Sequence, residues 1–154
     1  MNKTLEQVAE FHKTFQHPIL DKPQIPSKKR CELRINLMQE ELNEIKKAID
    51  NNNIIEVMDG FADLLYVLNG SILEFGVGGI FDETFEEIHN SNMSKSCESM
   101  QEALMTLSHY KKKDGTEGYY KEINGKWLVY RMSDDKVLKS INYSPANLEN
   151  ILNG

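Results

Sequence analysis

Hydrophobic residues recur every three to four positions over most of the chain, which predicts a mainly α-helical protein. Ser27 is a residue type that favours the N-cap position, so we expect the second helix to begin directly after it. The predicted helices cover residues 4–16, 28–49, 54–75, a segment that starts near residue 80, and 98–110.

The predicted helix over 54–75 is apolar on nearly every side. A helix with this pattern is buried at the centre of a bundle or at a subunit interface. Four or five short elements offer too little cover for it. We therefore expect a helical bundle that is completed by oligomerisation, as a homodimer or a higher homo-oligomer.

The hydrophobic period changes in the C-terminal part of the chain. Residues 119–123 and 126–130 read as strands, and Asn124-Gly125 between them is a strong hairpin signal. We expect a third short strand through 137–138, followed by a short terminal helix over 144–152. The predicted fold is thus mainly α, with a small C-terminal hairpin or meander and a terminal helix.

Composition narrows the class of protein. The chain has 154 residues and a net charge of -6, which fits a single, soluble, acidic domain. Duplex nucleic acid is an unfavourable partner for such a charge, and no apolar run reaches the roughly 18 residues that a membrane helix needs. Cys31 and Cys97 follow no metal or redox spacing, so we expect a cytoplasmic protein.

Acidic residues interrupt the most apolar stretch of the chain. Between Ala48 and Ser94 there are nine acidic residues and no Lys or Arg. Glu56, Asp59 and Asp63 lie inside the apolar stretch, and no basic residue is three or four positions from any of them. Pairing within the helix is therefore excluded, and a hard divalent cation is the leading candidate for neutralising their charge.

A second acidic group lies in the preceding helix. At 100° per residue, Glu41 and Glu44 fall on a largely apolar side of that helix, and Glu40 adjoins them. Taken alone, this group is better explained as a solvated helix face. Two helices joined by residues 50–53 would be antiparallel, however, and the acids of both would then face each other. The sequence therefore predicts a carboxylate metal site between two helices.

Several ordered segments resemble the all-α nucleoside triphosphate pyrophosphohydrolase superfamily. That superfamily includes MazG-type enzymes, phosphoribosyl-ATP pyrophosphohydrolases and dimeric dUTPases, and the resemblance is closest to a compact, bacterial or phage, MazG-like subgroup. The segments that carry it are Glu40-Glu41-x-x-Glu44, Ala62-Asp63-Leu64-Leu65-Tyr66, Phe11-His12-Lys13-x-Phe15-x-His17-Pro18, Glu74-Phe75-Gly76, Ser91-Asn92-Met93-Ser94-Lys95 and Val137-Leu138-Lys139-x-x-Asn142-Tyr143-Ser144-Pro145.

The resemblance implies one MazG-like domain over 1–154. It would comprise a helical core over 1–95, an inserted helix and hairpin over 96–133, and a C-terminal signature segment over 134–152. The inserted segment is longer than the compact pattern, and a lid or a specificity element is conceivable there.

The resemblance also assigns roles to single residues. Glu41, Glu44 and Asp63 would bind the metal, Mg²⁺ or a substituting Mn²⁺. The superfamily usually has a further acid where this chain has Gly60. Asp59 is the favoured substitute for that acid, and Glu56 is the alternative. Glu40 would be a further ligand or the base that orients the attacking water. The residues that would contact the nucleotide and its phosphates are Asn92, Lys95, Lys139, Asn142 and Tyr143.

The implied function is metal-dependent cleavage of a nucleoside triphosphate between its α and β phosphates. The products would be a nucleoside monophosphate and pyrophosphate, and the role would be sanitation of the nucleotide pool. Two alternatives from other classes remain, namely a non-catalytic metal-binding helical bundle and a helical dimerisation module. A metal carrier would bind without turnover, whereas the enzyme would release pyrophosphate.

Overall fold

A computed structural model, which describes residues 2–153, confirms the mainly helical architecture. Six helices and one antiparallel hairpin make up the described part of the chain. The elements are α1 (Lys3–Thr14), α2 (Lys28–Asp50), α3 (Ile54–Glu74), α4 (Phe81–Met93), α5 (Met100–Asp114), β1 (Gly118–Ile123), β2 (Lys126–Arg131) and α6 (Leu148–Asn153).

The described residues form two compact units, which divide between Glu83 and Thr84. The core of the first unit is apolar and joins α1 to the second half of α3. Its buried side chains are Leu5, Val8, Ile72 and Leu73. None of the described helices is long and apolar enough to cross a membrane.

Helices α2 and α3 pack against each other as an antiparallel pair, as the sequence predicted. Arg30 near the start of α2 binds Glu74 at the end of α3, while Ile45 near the end of α2 meets Gly60 early in α3. Asn53 caps α3, since its side chain accepts hydrogen bonds from the backbone of the first helical turn. This short connection fixes the register between the two helices.

Helix α3 is covered unevenly within the first unit. Residues 69–74 are buried, whereas large apolar side chains in the first half of the helix are exposed. Helix α1 covers only the second half, where Phe11 packs edge-on against Tyr66. The expected burial is therefore present over residues 69–74, and residues 54–68 offer an open apolar face. That face includes Ile54, Ile55, Met58, Phe61, Leu65 and Leu68.

The second unit contains the predicted hairpin. Strands β1 and β2 pair antiparallel, and the connecting Asn124 and Gly125 have φ values of 52° and 77°. Two positive φ values are what a two-residue type I′ turn requires. The buried core of this unit comprises Cys97, Ala103, Val129 and Leu138.

Two C-terminal predictions are wrong in detail. The third strand is reduced to an isolated bridge between Tyr130 and Val137. The last helix begins at Leu148 because Ser144 does not cap it. Ser144 instead bonds Ser94 through its backbone N–H and C=O, and Asn147 accepts the capping hydrogen bond from the Asn150 N–H.

Candidate active site

The acids of α2 and α3 face each other across the helix pair. The pairs Arg30–Glu74 and Ile45–Gly60 set an antiparallel register that brings Glu41 opposite Asp63. Burial raises the pKa of the Glu41 carboxyl, and four nearby negative charges raise it further. Those charges belong to Asp63, Glu44, Glu40 and Asp59. Five of the six predicted carboxylates therefore share one electrostatic environment.

The sixth predicted acid, Glu56, lies one helical turn before Asp59. Both side chains line a cavity of about 400 Å³ between the end of α2 and the start of α3, together with Glu44. Lys47 of α2 also lines this cavity. Its proximity to Glu56 and Asp59 was not predicted, because the search for ion pairs was confined to residues of their own helix.

The carboxylates are more open to solvent than the sequence suggested. Glu41 is partly buried and the other five are exposed, because α1 leaves the first half of α3 uncovered. No three acidic, histidine or cysteine side chains within 2–153 are grouped closely enough to hold a metal ion as they stand. Even so, the donor set consists of carboxylate oxygens only, which is the chemistry that Mg²⁺ prefers.

The absence of an acidic side chain at position 60 has a steric explanation. A Cβ atom added at Gly60 would lie 2.6 Å from Ile45 Cγ1, so a larger side chain at position 60 would displace a buried residue of α2. Asp59 precedes Gly60 and acts on Glu41 electrostatically.

A buried charge network lies two helical turns from this site, and the sequence analysis did not foresee it. Glu74 is 1% exposed and accepts hydrogen bonds from Arg30 Nε at 2.8 Å and from Arg34 Nε at 2.7 Å. Burial raises the pKa of Glu74, but hydrogen bonds and positive charges from both arginines outweigh burial and hold that pKa below its ordinary value. The i, i+4 spacing of the two arginines on α2 was the available signal.

His12 completes the network from α1. Its Nδ1 donates to the carbonyl of Pro18 at 2.9 Å, so its Nε2 accepts from Arg34 Nη2 at 3.2 Å. Burial lowers the pKa of His12, and the charge of Arg34 acts in the same direction. Gly70 makes room for this contact, since an added Cβ would lie 2.8 Å from His12 Nε2. These hydrogen bonds give His12 a structural role.

The second unit brings together the five residues that the sequence assigned to substrate. Lys95 Nζ donates to Asn92 Oδ1 at 2.6 Å at the end of α4. Lys139 Nζ lies 4.2 Å from the ring centroid of Tyr143, and Asn142 directly precedes Tyr143 in the chain. A hydrogen bond from Ser91 lowers the pKa of Tyr143, and the charges of both lysines contribute. This cluster therefore offers two ammonium groups and a phenol.

A cavity of about 260 Å³ adjoins this cluster. Helix α5, part of the insertion whose role the sequence left open, supplies two of its lining residues. The lining comprises His109, Tyr110, Lys139, Ser140, Ile141 and Tyr143. The six predicted carboxylates thus lie in the first unit, and the five predicted substrate residues lie in the second.

Comparison with known proteins places the chain in a family. The family model described as phosphoribosyl-ATP pyrophosphohydrolase matches residues 8–92, more than half of the chain. "Uncharacterized protein L479" of Acanthamoeba polyphaga mimivirus is 23% identical, in an alignment that covers 96% of this chain and 94% of that protein. The matched range includes all six carboxylates and Asn92, whereas Lys95 and the C-terminal residues lie beyond it. This chain belongs to the phosphoribosyl-ATP pyrophosphohydrolase family, and the family indicates a pyrophosphohydrolase.

Proposed function

We propose that this protein is a metal-dependent nucleotide pyrophosphohydrolase, which cleaves a nucleoside triphosphate between its α and β phosphates. The observation that carries the proposal is the position of Glu41 opposite Asp63, with three further carboxylates acting on Glu41. Membership of the family supports the hydrolysis of a pyrophosphate linkage. Removing non-standard nucleotides from the cellular pool is the role that such an activity would serve.

The carboxylates fit a hard divalent cation. Glu41, Glu44, Asp59 and Asp63 would hold Mg²⁺ or Mn²⁺, with Glu56 as the alternative to Asp59. Asp59 is favoured because its charge is among the largest that act on Glu41. When bound, the metal would polarise the phosphate and lower the pKa of a coordinated water. Burial and the negative charges of four neighbouring carboxylates raise the pKa of Glu41, and a bound cation would compensate for those charges.

Glu40 is the proposed base on the solvent side of the site. Its exposed carboxylate lines a polar groove along α2 together with Asn36, Gln39 and Asn43. A carboxylate there would accept a hydrogen bond from the attacking water and orient its lone pair towards the phosphorus. The neighbouring amide side chains offer both donors and acceptors that would keep this water in place.

The cluster in the second unit would bind the phosphate groups of the substrate. Lys95 and Lys139 supply ammonium groups for the phosphate oxygens, and Asn92 and Asn142 supply amide donors. Tyr143 accepts a hydrogen bond from Ser91, so its own O–H proton remains free to be donated. Positive charge in this unit would offset the repulsion between an acidic protein and a polyanionic substrate.

The open apolar face of α3 supports self-association into a homodimer or a larger homo-oligomer. Phe61 and Met58 are 57% and 66% exposed, and a run of such residues on one helix is unusual for a monomer. Light scattering at micromolar concentration should give at least twice the mass of one chain, 17.8 kDa. A monomeric mass would contradict this part of the proposal.

A nucleotide panel tests the activity. Common ribo- and deoxyribonucleoside triphosphates are incubated with Mg²⁺ or Mn²⁺, and pyrophosphate and orthophosphate are measured separately. We expect pyrophosphate and a nucleoside monophosphate in equal amounts. Orthophosphate as the primary product would contradict the proposal. Metal binding without any turnover would instead favour a non-catalytic metal-binding bundle.

A further inference from the structure

Helix α5 presents three hydrogen-bond acceptors to the C-terminal signature segment. Thr106 Oγ1 accepts from the Ile141 N–H at 3.2 Å, and Tyr110 OH accepts from the Lys139 N–H at 3.2 Å. One turn before Thr106, the Glu102 carboxylate accepts from the Ser140 hydroxyl. The three acceptors are spaced i, i+4 and i+8, so they form one polar stripe along the helix.

We propose that Glu102, Thr106 and Tyr110 are positioning residues, which order the segment 139–143 so that Lys139 and Tyr143 are held ready for substrate phosphates. The inserted helix α5 is then a part of the substrate-binding apparatus. This inference rests on the proposed function, because it assumes that the segment binds a nucleotide.

Ser140 is the point at which the segment is anchored. It is 4% exposed, and its N–H donates to the carbonyl of Lys95 at 3.1 Å while its hydroxyl donates to Glu102. The same hydroxyl accepts from the Asn142 N–H at 2.9 Å, and the Ser140 carbonyl accepts from the Tyr143 N–H at 3.0 Å. The tight turn over 140–143 is therefore tied to the end of α4 on one side and to α5 on the other.

The charge on Glu102 strengthens this anchor. Burial raises the pKa of Glu102, but hydrogen bonds from Ser140, the Glu98 N–H and the Asn142 side chain outweigh burial and lower that pKa overall. A carboxylate that stays ionised at neutral pH is a stronger acceptor than a neutral group. Thr106 is fully buried, so water does not compete for its hydroxyl as the acceptor of the Ile141 N–H.

The hydrogen bonds from α5 hold the backbone of the segment and leave its functional side chains exposed to solvent. Lys139 and Asn142 are exposed, although Ser140 between them is buried. A segment that is ordered before binding loses less conformational entropy when the ligand arrives. If the ordered fraction falls, the apparent dissociation constant rises in inverse proportion to that fraction. The stripe should therefore affect substrate affinity far more than the chemical step.

Two substitutions remove single acceptors at nearly constant shape. Thr106→Val deletes the acceptor for Ile141, and Thr106→Ser restores a hydroxyl at the same position. Tyr110→Phe deletes the acceptor for Lys139. Tyr119→Phe is the matched control, because its hydroxyl bonds Asp135 on the hairpin and does not touch the segment.

Three readouts are compared across these variants. They are amide hydrogen exchange of residues 139–143 without ligand, the dissociation constant for inorganic triphosphate with Mg²⁺, and KM and kcat for the best nucleotide. For Thr106→Val and Tyr110→Phe we expect faster exchange, a rise of about three- to tenfold in KM and in the triphosphate constant, and kcat within about twofold of wild type. Thr106→Ser and Tyr119→Phe should stay close to wild type.

The outcomes separate this inference from the proposed function. Unchanged KM and triphosphate binding in both variants, with normal wild-type turnover, would overturn the inference alone. An equal loss in Thr106→Ser and Thr106→Val would also overturn it, because packing and not the hydroxyl would then be responsible. Absence of turnover in the wild type would overturn the proposed function, while exchange and triphosphate binding would still decide the inference.

Discussion

Gly60 on α3 lies so close to Ile45 on α2 that a Cβ atom at position 60 would come within 2.6 Å of Ile45 Cγ1. This approach sets the spacing of the two helices one turn from Asp63. It also explains why an acidic side chain is absent at position 60. The distance between facing carboxylates thus depends on a glycine.

Gly60→Ala should lower the free energy of unfolding by about 1–3 kcal/mol, since Ile45 is buried and its Cγ1 cannot move away freely. The loss should appear although alanine is the better helix former. Urea unfolding measures it, with Gly79→Ala as the control because an added Cβ there meets nothing within 4 Å. In the double variant with Ile45→Ala, the penalty for Gly60→Ala should largely disappear. A penalty of equal size in both backgrounds would argue against the contact.

The buried network should make the protein sensitive to substitution at Arg34. Arg34→Ala would leave the Glu74 carboxylate with Arg30 as its remaining partner, at a cost of about 1.5–3 kcal/mol in the free energy of unfolding. Lys28→Ala is the matched control on the same helix. It removes the exposed pair with Glu32 and should change stability by less than about 0.5 kcal/mol. Similar losses in the two variants would contradict the assigned role of the network.

The same network predicts a loss of stability in acid. Because the folded pKa of His12 is lowered, the unfolded chain binds more protons as the pH falls below 6.5, and stability decreases. The folded pKa of Glu74 is also lowered, so its contribution is present above pH 4.5 and is lost as the pH falls towards the folded value. Denaturation followed from pH 7.5 to 4 should show this decline. In His12→Gln the decline between pH 6.5 and 5 should be shallower, and an identical slope would refute the assignment.

The contribution of Glu41 to the pH dependence of stability should have the opposite sign to those of His12 and Glu74. Its folded pKa is raised, so the native state holds more protons than the unfolded state just above pH 4.5, and stability falls as the pH rises through that window. Glu41→Gln should therefore keep or raise the metal-free melting temperature at pH 7, by up to about 2 °C. Mg²⁺ at a hundredfold excess over its Kd should stabilise the wild type by about 2.7 kcal/mol, and the variant by less. An equal metal-induced shift in both proteins would remove Glu41 from the proposed metal site.

Most elements of the fold could be predicted from the local pattern of hydrophobic and polar residues. The helices follow a period of three to four residues, and Asn124-Gly125 specifies its own turn, so both are visible over short stretches of sequence. The start of the last helix is not visible in the local sequence, because it depends on hydrogen bonds between Ser144 and Ser94, fifty positions apart. Tertiary contacts of this kind override a local capping preference.

The candidate site was predictable to the same degree. Helical spacing and a short connection predicted that the acids of α2 and α3 would face each other, and the structure brings Glu41 close to Asp63. The pairing of Arg34 with Glu74 could not be derived in this way, because the two residues are 40 positions apart and neither helix alone shows the match. Likewise, the exposure of the acids follows from how far α1 extends over α3, which depends on tertiary packing.

The most direct test of the proposed activity compares wild type with Asp63→Asn, in which one negative charge is removed at nearly constant shape. Asp21→Asn serves as the control, since Asp21 is an exposed acid outside α2 and α3. The melting temperature of each variant is measured first, to establish that it is folded.

Pyrophosphate release from the preferred nucleoside triphosphate is then followed with saturating Mg²⁺. Wild type and Asp21→Asn should release one pyrophosphate for each triphosphate consumed, and Asp63→Asn should be at least about 100-fold slower while melting at the wild-type temperature or above. Pyrophosphate release by Asp63→Asn at the wild-type rate would contradict the account, and so would a wild type that produces only orthophosphate.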